Sequence, residues 1–86
     1  MNTAFLLMAR YDGLPVIPVE SVRADFFPHL TLDEFLRQIG NGGIKLPLVR
    51  STTSQKSAKG VHLQDLADYL DGRRAVAHKE LEQMTR

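Results

Sequence analysis

Two helix boundaries lie close together in the first half of the chain, and they constrain the fold more than any other feature. Pro28 ends one helix, because the residue before a proline avoids the α conformation. Thr31 begins the next, since Thr31 and Glu34 have the spacing of a capping box. Only Pro28, His29 and Leu30 separate the two predicted helices, which is the connection length of a helix-turn-helix.

Apolar spacing supports a helix on each side of this connection. Residues 18–27 begin with a proline suited to a first helical turn and carry apolar residues at helical spacing, namely Val19, Val22 and Phe26. Residues 32–40 have one apolar face, made of Leu32, Phe35, Leu36 and Ile39. The opposite face and its end carry Asp33, Arg37, Gln38 and Asn41. Gly40–Gly43 ends this helix, because glycine and asparagine readily adopt the left-handed conformation.

The start of the chain is less sharply defined. The apolar run within residues 3–10 predicts a short helix, and a buried strand is the alternative. Asp12 and Gly13 form a turn signal, and residues 15–18 read as extended chain. A β-hairpin that turns at Asp12 and Gly13 is therefore an alternative prediction for this segment.

The second half of the chain predicts a β-hairpin followed by a helix. Residues 45–50 alternate as a strand does, and Pro47 indicates an edge position. Residues 51–60 are a polar, exposed loop, and a short strand over 60–62 completes the hairpin. A final helix follows, whose apolar face consists of Leu63, Leu66, Ala67 and Leu70. Gly72 is a position at which this helix can be interrupted.

The order of these elements predicts a mainly α protein with a small β-hairpin (α+β), of the winged helix-turn-helix class. With 86 residues the chain is long enough for one small domain, which we place over residues 1–86. We expect its core to cover about residues 3–72 and a helical extension to cover about residues 73–86.

Composition excludes several function classes. The chain has no cysteine, so it has no disulfide or thiolate chemistry. Its longest apolar run, Ala4–Ala9, is far too short to span a membrane. No basic residue precedes this run and no small-residue cleavage site follows it, so it does not resemble a signal peptide, and we expect a cytoplasmic protein. His29, His62 and His78 are scattered, without a motif for a metal site or for catalysis. We therefore expect no cofactor, no metal and no enzymatic activity.

The net charge of +1 hides a strong asymmetry along the chain. Residues 1–34 carry two basic and five acidic side chains, and residues 65–86 carry four basic and five acidic ones. Residues 35–64 carry five basic side chains and no acidic one. Such a stretch attracts a polyanion, although a solvated loop is the plainer alternative.

A winged helix-turn-helix has a natural ligand in double-stranded DNA. Its second helix enters the major groove, and its wing contacts the backbone. On helix 32–40, Arg37 has the chemistry to pair with guanine and Gln38 with adenine. A surface pair between Arg37 and Asp33 is the competing interpretation. Thr31 and Asn41, at the two ends of the helix, complete this part of the predicted DNA-binding surface.

The predicted wing supplies the backbone contacts. Its cations are Lys45, Arg50, Lys56 and Lys59. Binding through them releases counterions and depends steeply on salt. Neutral contacts to phosphate are available from Ser54, Gln55 and Ser57. An ordinary solubilising loop is again the alternative.

Several blocks of the sequence resemble the pyocin activator protein (PrtN) family. They read MNTAFLLMARY (1–11), VIPVE (16–20), DFFPHLT (25–31), LPLVR (46–50), SQKSAKGV (54–61) and LQDLADYLD (63–71). The resemblance extends to about Arg74, and the last two blocks are its most specific parts. It implies a small bacterial or prophage-associated transcriptional activator that binds DNA upstream of bacteriocin (pyocin) genes. It also implies that residues 54–60 are the wing, which strengthens the assignment of Gln55, Lys56 and Lys59.

The helix order is also similar to the excisionase and MerR-type winged helix, a likeness of fold alone. An excisionase-like architectural protein, which bends DNA and recruits a recombinase, is therefore an alternative function. A protein-interaction module is another, because Leu70, Ala77 and Met84 lie seven residues apart, flanked by Arg73 and Arg74.

Two kinds of protein partner are expected beside DNA. An activator must contact RNA polymerase or another factor, and the acidic candidates for that contact are Glu20, Asp25, Asp65 and Asp68. We also expect a homodimer or a higher oligomer, because one module this small buries little surface on DNA.

Overall fold

A computed structural model describes residues 2–52 and 58–85 of the chain. Within these residues the protein is mainly helical, with a small three-stranded antiparallel sheet. The elements in chain order are α1 (Thr3–Arg10), β1 (Val16–Pro18), α2 (Val19–Phe26), α3 (Leu32–Gly40), β2 (Val49–Arg50), β3 (Lys59–His62) and α4 (Leu63–Met84). The strand order is β1-β3-β2, so β3 is central.

The predicted helices are confirmed, with small changes at their ends. The helix predicted over 3–10 is α1, and the Asn2 side chain caps it by accepting the Ala4 N–H at 2.8 Å. The helix predicted over 18–27 is α2, which begins one residue later because Pro18 belongs to β1 and serves as its N-cap. The helix predicted over 32–40 is α3 with those bounds. Gly72 does not interrupt α4, which continues for 22 residues.

The extended segment near Pro15 is a strand, but it pairs far along the chain rather than across the turn at Asp12. β1 lies antiparallel to β3, with Ile17 opposite Val61. Both of these side chains are fully buried, so pairing places two core residues on the same face of the sheet. Asp12 and Gly13, both with positive φ, only turn the chain after α1. The alternative of a hairpin across them is therefore wrong.

The strand predicted over 45–50 is mostly not a strand, since β2 contains only Val49 and Arg50. The alternation that suggested a strand is present, because Ile44 and Leu46 are buried and Lys45 between them is exposed. These residues reach the core without pairing to a strand, because this part of the chain pairs with β3 only through Val49 and Arg50. The alternation of apolar and polar residues in this segment therefore indicates which side chains are buried, and does not indicate pairing with a strand.

The core draws one fully buried side chain from each of five elements. These are Ile17 of β1, Val22 of α2, Phe35 of α3, Val61 of β3 and Leu66 of α4. Helix α1 adds Leu7 as it packs along the first part of α4. In contrast, every described residue of α4 from position 71 onward is exposed. Among residues 2–52 and 58–85, no helix has the length and apolar character needed to cross a membrane.

Candidate nucleic-acid interface

Helix α3 is held by a cap at its start and by one buried face. The Thr31 hydroxyl accepts the Glu34 backbone N–H at 3.2 Å, as the capping box predicts. Phe35 is fully buried, and its ring lies 4.8 Å from that of Phe27, which precedes the α2–α3 connection. Leu32 and Ile39 are half-buried on the same side. The cap and this packing orient the remaining face of α3 outward.

The outward face of α3 carries the predicted base-contacting residues with different degrees of exposure. Arg37 is exposed, and within the described ranges it takes part in no ion pair, so the competing pair with Asp33 is not formed. Gln38 is half-buried. Asn41 is exposed, and its side-chain oxygen accepts the Gly43 N–H at 3.0 Å, which shapes the turn after α3.

Sequence reasoning missed Arg23, which braces α2 against the connection to α3. Its Nη1 donates to the Leu30 carbonyl at 2.9 Å, and its Nη2 donates to Glu20 at 2.7 Å. Hydrogen bonds with Arg23 hold the pKa of Glu20 below its usual range. The spacing of Glu20 and Arg23 indicates a helical pair, but nothing local indicates the contact with Leu30. That contact depends on how the chain turns back after α2.

Replacing Arg23 is expected to weaken the fold more than breaking its ion pair does. Arg23→Ala leaves the half-buried Leu30 without its guanidinium donor, and a hydrogen bond lost inside a turn is not fully replaced by water. Glu20→Gln removes only an exposed charge and serves as the control. Thermal unfolding followed by circular dichroism should therefore show a lower midpoint for Arg23→Ala than for Glu20→Gln. Equal midpoints would mean that the Leu30 contact contributes nothing.

The structure brings together two of the predicted wing cations and places a third elsewhere. Arg50 and Lys59 are opposite each other in the β2–β3 register, so their Cβ atoms lie on the same side of the sheet. Lys45 instead lines a groove of about 460 Å³ along α4, together with Asp65, Asp68 and Arg73. The predicted contacts Ser54, Gln55, Lys56 and Ser57 lie outside the described residues.

Most of the acidic side chains proposed for a protein contact already have partners. Asp25 accepts from the Tyr11 hydroxyl at 2.5 Å and from Arg10 at 3.1 Å, which joins α1 to α2. Burial, followed by this hydrogen bond, raises the pKa of Tyr11 above its usual range, so the phenol remains a donor. Asp68 accepts from Gln64 at 3.0 Å. Asp65 and Asp68 adjoin Lys45, so the negative and positive surfaces meet in the groove along α4.

Of the three histidines, His62 has a clear local structural role. His62 caps α4, because its Nδ1 accepts the Gln64 N–H at 3.0 Å. His29 is exposed in the α2–α3 connection, with its ring 6.4 Å from that of Phe27. Among the described residues, no group of three or more His, Asp or Glu side chains is placed to hold a metal ion.

Fold and site together define a small α+β protein whose candidate surface combines the open face of a capped helix with neighbouring strand cations. Comparison with family models identifies which group of such proteins it represents. The model described as "Pyocin activator protein PrtN" matches residues 3–77, and the chain belongs to that family. The family description indicates a regulatory role in pyocin expression. Comparisons with curated proteins and with solved structures find no match.

Proposed function

We propose that the protein is a sequence-specific DNA-binding activator of pyocin or prophage genes. In this proposal α2 and α3 act as a helix-turn-helix, α3 enters the major groove, and residues 45–60 form a wing on the DNA backbone. The observation that carries it is the exposed Arg37, which lies opposite the buried stripe of α3 in a member of the pyocin activator family.

The outward face of α3 suits base recognition because its side chains are largely uncommitted. The major groove admits an α-helix, and arginine contacts guanine through two parallel hydrogen bonds. Arg37 has no internal ion pair to give up within the described ranges, so binding DNA breaks no salt bridge there. Thr31 and Asn41 lie at the two ends of α3, and by that location we assign them to contacts there; each side-chain oxygen also accepts one backbone N–H within the protein.

The β2–β3 pair suits the backbone because it presents two cations side by side. Arg50 and Lys59 lie opposite each other where the sheet ends, at the entry to and exit from the segment 51–58. Each phosphate that such a cation neutralises releases counterions, which strengthens binding at low salt. By residue type we extend the wing to Ser54, Gln55, Lys56 and Ser57. Lys45 contributes less, because Asp65 and Asp68 share its groove.

The activator role adds a protein partner to the proposal. RNA polymerase is the general partner of a bacterial activator, and a surface away from α3 is required for it. Of the four acidic candidates, Asp65 and Asp68 adjoin each other along the groove beside α4. Glu20 and Asp25 form ion pairs with Arg23 and Arg10, whereas Asp65 and Asp68 form none among the described residues. We therefore assign the polymerase contact to Asp65 and Asp68.

Fluorescence anisotropy with a pyocin-type promoter fragment and a scrambled duplex, each at several salt concentrations, tests DNA binding. Arg37→Ala should cost roughly 1–3 kcal/mol on the promoter fragment and little on the scrambled duplex. Lys59→Ala should weaken binding to both and reduce the salt slope by about one. Lys79→Ala, which removes an exposed cation from the far half of α4, is the matched control. Equal affinity for the two duplexes, or equal loss with Lys79→Ala, would contradict the proposal.

A reporter gene behind the same promoter separates activation from DNA bending alone. An activator raises reporter expression without a recombinase, and Arg37→Ala abolishes the rise. An excisionase-like protein binds and bends the fragment but leaves expression unchanged. Promoter binding without any rise in expression would therefore favour the architectural alternative.

A further inference from the structure

The groove of about 460 Å³ along α4 lies beside the turn that follows α3. Gly43 and Lys45 line it on the side of that turn. On the helix side its lining extends from Asp65 to Val76, which is about 16 Å along α4. We call it the α4 groove. A polymerase contact through Asp65 and Asp68 alone would use only one part of it.

Four charged side chains line the α4 groove, two of each sign, namely Lys45, Arg73, Asp65 and Asp68. Within residues 2–52 and 58–85, the ion pairs lie between α1 and α2 and inside α2, so none involves these four side chains. Asp68 accepts a hydrogen bond from Gln64, but that amide carries no charge. Charges of both signs therefore face one groove without an ion pair between them, and they remain available to a partner.

The charges are separated along α4. Asp65 and Asp68 are three positions apart, so they are neighbours on the helix surface. Arg73 follows Asp68 by five positions, about 7.5 Å along the helix axis. The helix side of the groove therefore has a negative part followed by a positive part, while Lys45 adds a second cation from the turn after α3.

Between and beyond these charges the groove is open and partly apolar. Apart from its chain neighbours and the surrounding backbone of α4, nothing in the described part of the chain lies within 4 Å of the Cβ position at Gly72. Tyr69 is half-buried and Val76 is 39% exposed, so an apolar contact is available before and after this glycine. A side chain of a partner can therefore enter here without displacing part of the fold.

We propose that the α4 groove binds a polypeptide segment of RNA polymerase that carries both a basic and an acidic side chain. This rests on the proposed activator role, which requires a polymerase contact. The basic side chain of the segment lies against Asp65 and Asp68, and its acidic side chain lies against Arg73. Charge complementarity selects this occupant, because a segment of one sign would place two like charges together at one part of the groove.

Two other kinds of ligand fit the α4 groove less well. DNA presents phosphates of one sign, and Asp65 and Asp68 would repel them. Small-molecule sites enclose most of their ligand, whereas Lys45, Asp68 and Arg73 are all exposed. An open groove that follows a helix for about three turns instead suits a helix or an extended segment of another protein.

Biolayer interferometry of the full chain with purified bacterial RNA polymerase holoenzyme, without DNA, tests the assignment. Gly72→Leu should weaken binding by at least about tenfold, because leucine fills the groove while every charge stays in place. Gly72→Ala makes the same backbone change and leaves the groove open, so it is the matched control. Arg73→Glu should also weaken binding by about tenfold, since it reverses the charge that the acidic side chain meets. Lys79→Ala, exposed on α4 outside the groove lining, should bind as the unchanged protein does.

Promoter affinity, measured by fluorescence anisotropy, should be equal for Gly72→Leu and Gly72→Ala. A chain that distinguishes the promoter fragment from the scrambled duplex but does not bind polymerase would overturn the groove assignment and leave the DNA-binding function standing. Unchanged polymerase binding by Gly72→Leu would also overturn it. If Gly72→Leu and Arg73→Glu weaken promoter binding instead, the groove belongs to the DNA interface and the assignment is wrong.

Sedimentation equilibrium separates a second copy of the chain from polymerase as the occupant. Gly72→Leu and Gly72→Ala should give the same mass. A mass above 9.7 kDa that Gly72→Leu alone lowers would show a second copy in the groove and overturn the polymerase assignment. Equal affinity for the promoter fragment and the scrambled duplex would contradict the proposed function itself, whatever the groove binds.

Discussion

Phe35→Ala is expected to remove about 3–5 kcal/mol from the free energy of unfolding, the range for truncating a buried phenylalanine. Phe35 is 0% exposed, and its ring is 4.8 Å from that of Phe27. Phe27 in turn lies 5.9 Å from the ring of Tyr69 on α4, so the cavity would open where α3 meets the rest of the core. A small domain has roughly 5–15 kcal/mol in total. Urea unfolding followed by circular dichroism measures the loss.

The same substitution at an exposed site is the control for this result. Phe5 is 61% exposed on α1, so Phe5→Ala removes little buried surface and should change the free energy of unfolding by less than about 1 kcal/mol. Equal losses for Phe5→Ala and Phe35→Ala would show that α3 is not seated as the structure describes. If Phe35 does not hold α3 in the core, there is also no reason to expect Arg37 to face outward.

Gly60→Ala is the second large effect, because the central strand has no room for a Cβ atom at this position. That atom would lie 2.5 Å from Val16 Cγ1 and 2.8 Å from the Ile17 carbonyl oxygen. A backbone oxygen can move only if β1 moves, so we expect a loss of about 1–3 kcal/mol, as for other overpacked sites. Urea unfolding again measures it.

Gly72→Ala makes the same chemical change where space is open. Apart from its chain neighbours and the surrounding backbone of α4, nothing in the described part of the chain lies within 4 Å of the Cβ position at Gly72, which is inside α4. Alanine is the better helix former, so this variant should gain roughly 0.5–1 kcal/mol. The two glycine variants should therefore change stability in opposite directions. A loss at both positions would contradict the continuous α4, and a gain at both would contradict the close β1–β3 approach.

The helices could be predicted from the sequence because their signals are local. The capping box at Thr31, the proline stop at Pro28 and the spacing of Val22 and Phe26 all act within a few residues of the chain. Each has its structural counterpart, including the hydrogen bond from the Glu34 N–H to the Thr31 hydroxyl. Exposure of Arg37 follows from the same periodicity, since it lies opposite the apolar stripe.

The sheet and the surroundings of the candidate site could not be predicted in the same way. Val16–Pro18 pairs with Gly60–His62, more than forty residues away, and no local signal encodes that register. Burial alternation at Ile44 and Leu46 suggested a longer strand than β2. The positions of Arg23 against Leu30 and of Lys45 beside Asp65 likewise depend on how separate elements pack.

The ends of the helices, their apolar faces and the cations without carboxylates in residues 35–64 can all be read from the amino-acid sequence alone. Three features become visible only when the elements pack together: which strands pair, which cations lie side by side, and that the apolar face of α4 is covered by described residues as far as Leu70. The two groups of features differ because the interactions behind them act over different ranges. Caps, turns and helical periodicity act over one or two turns, whereas strand register and burial depend on residues distant in the chain.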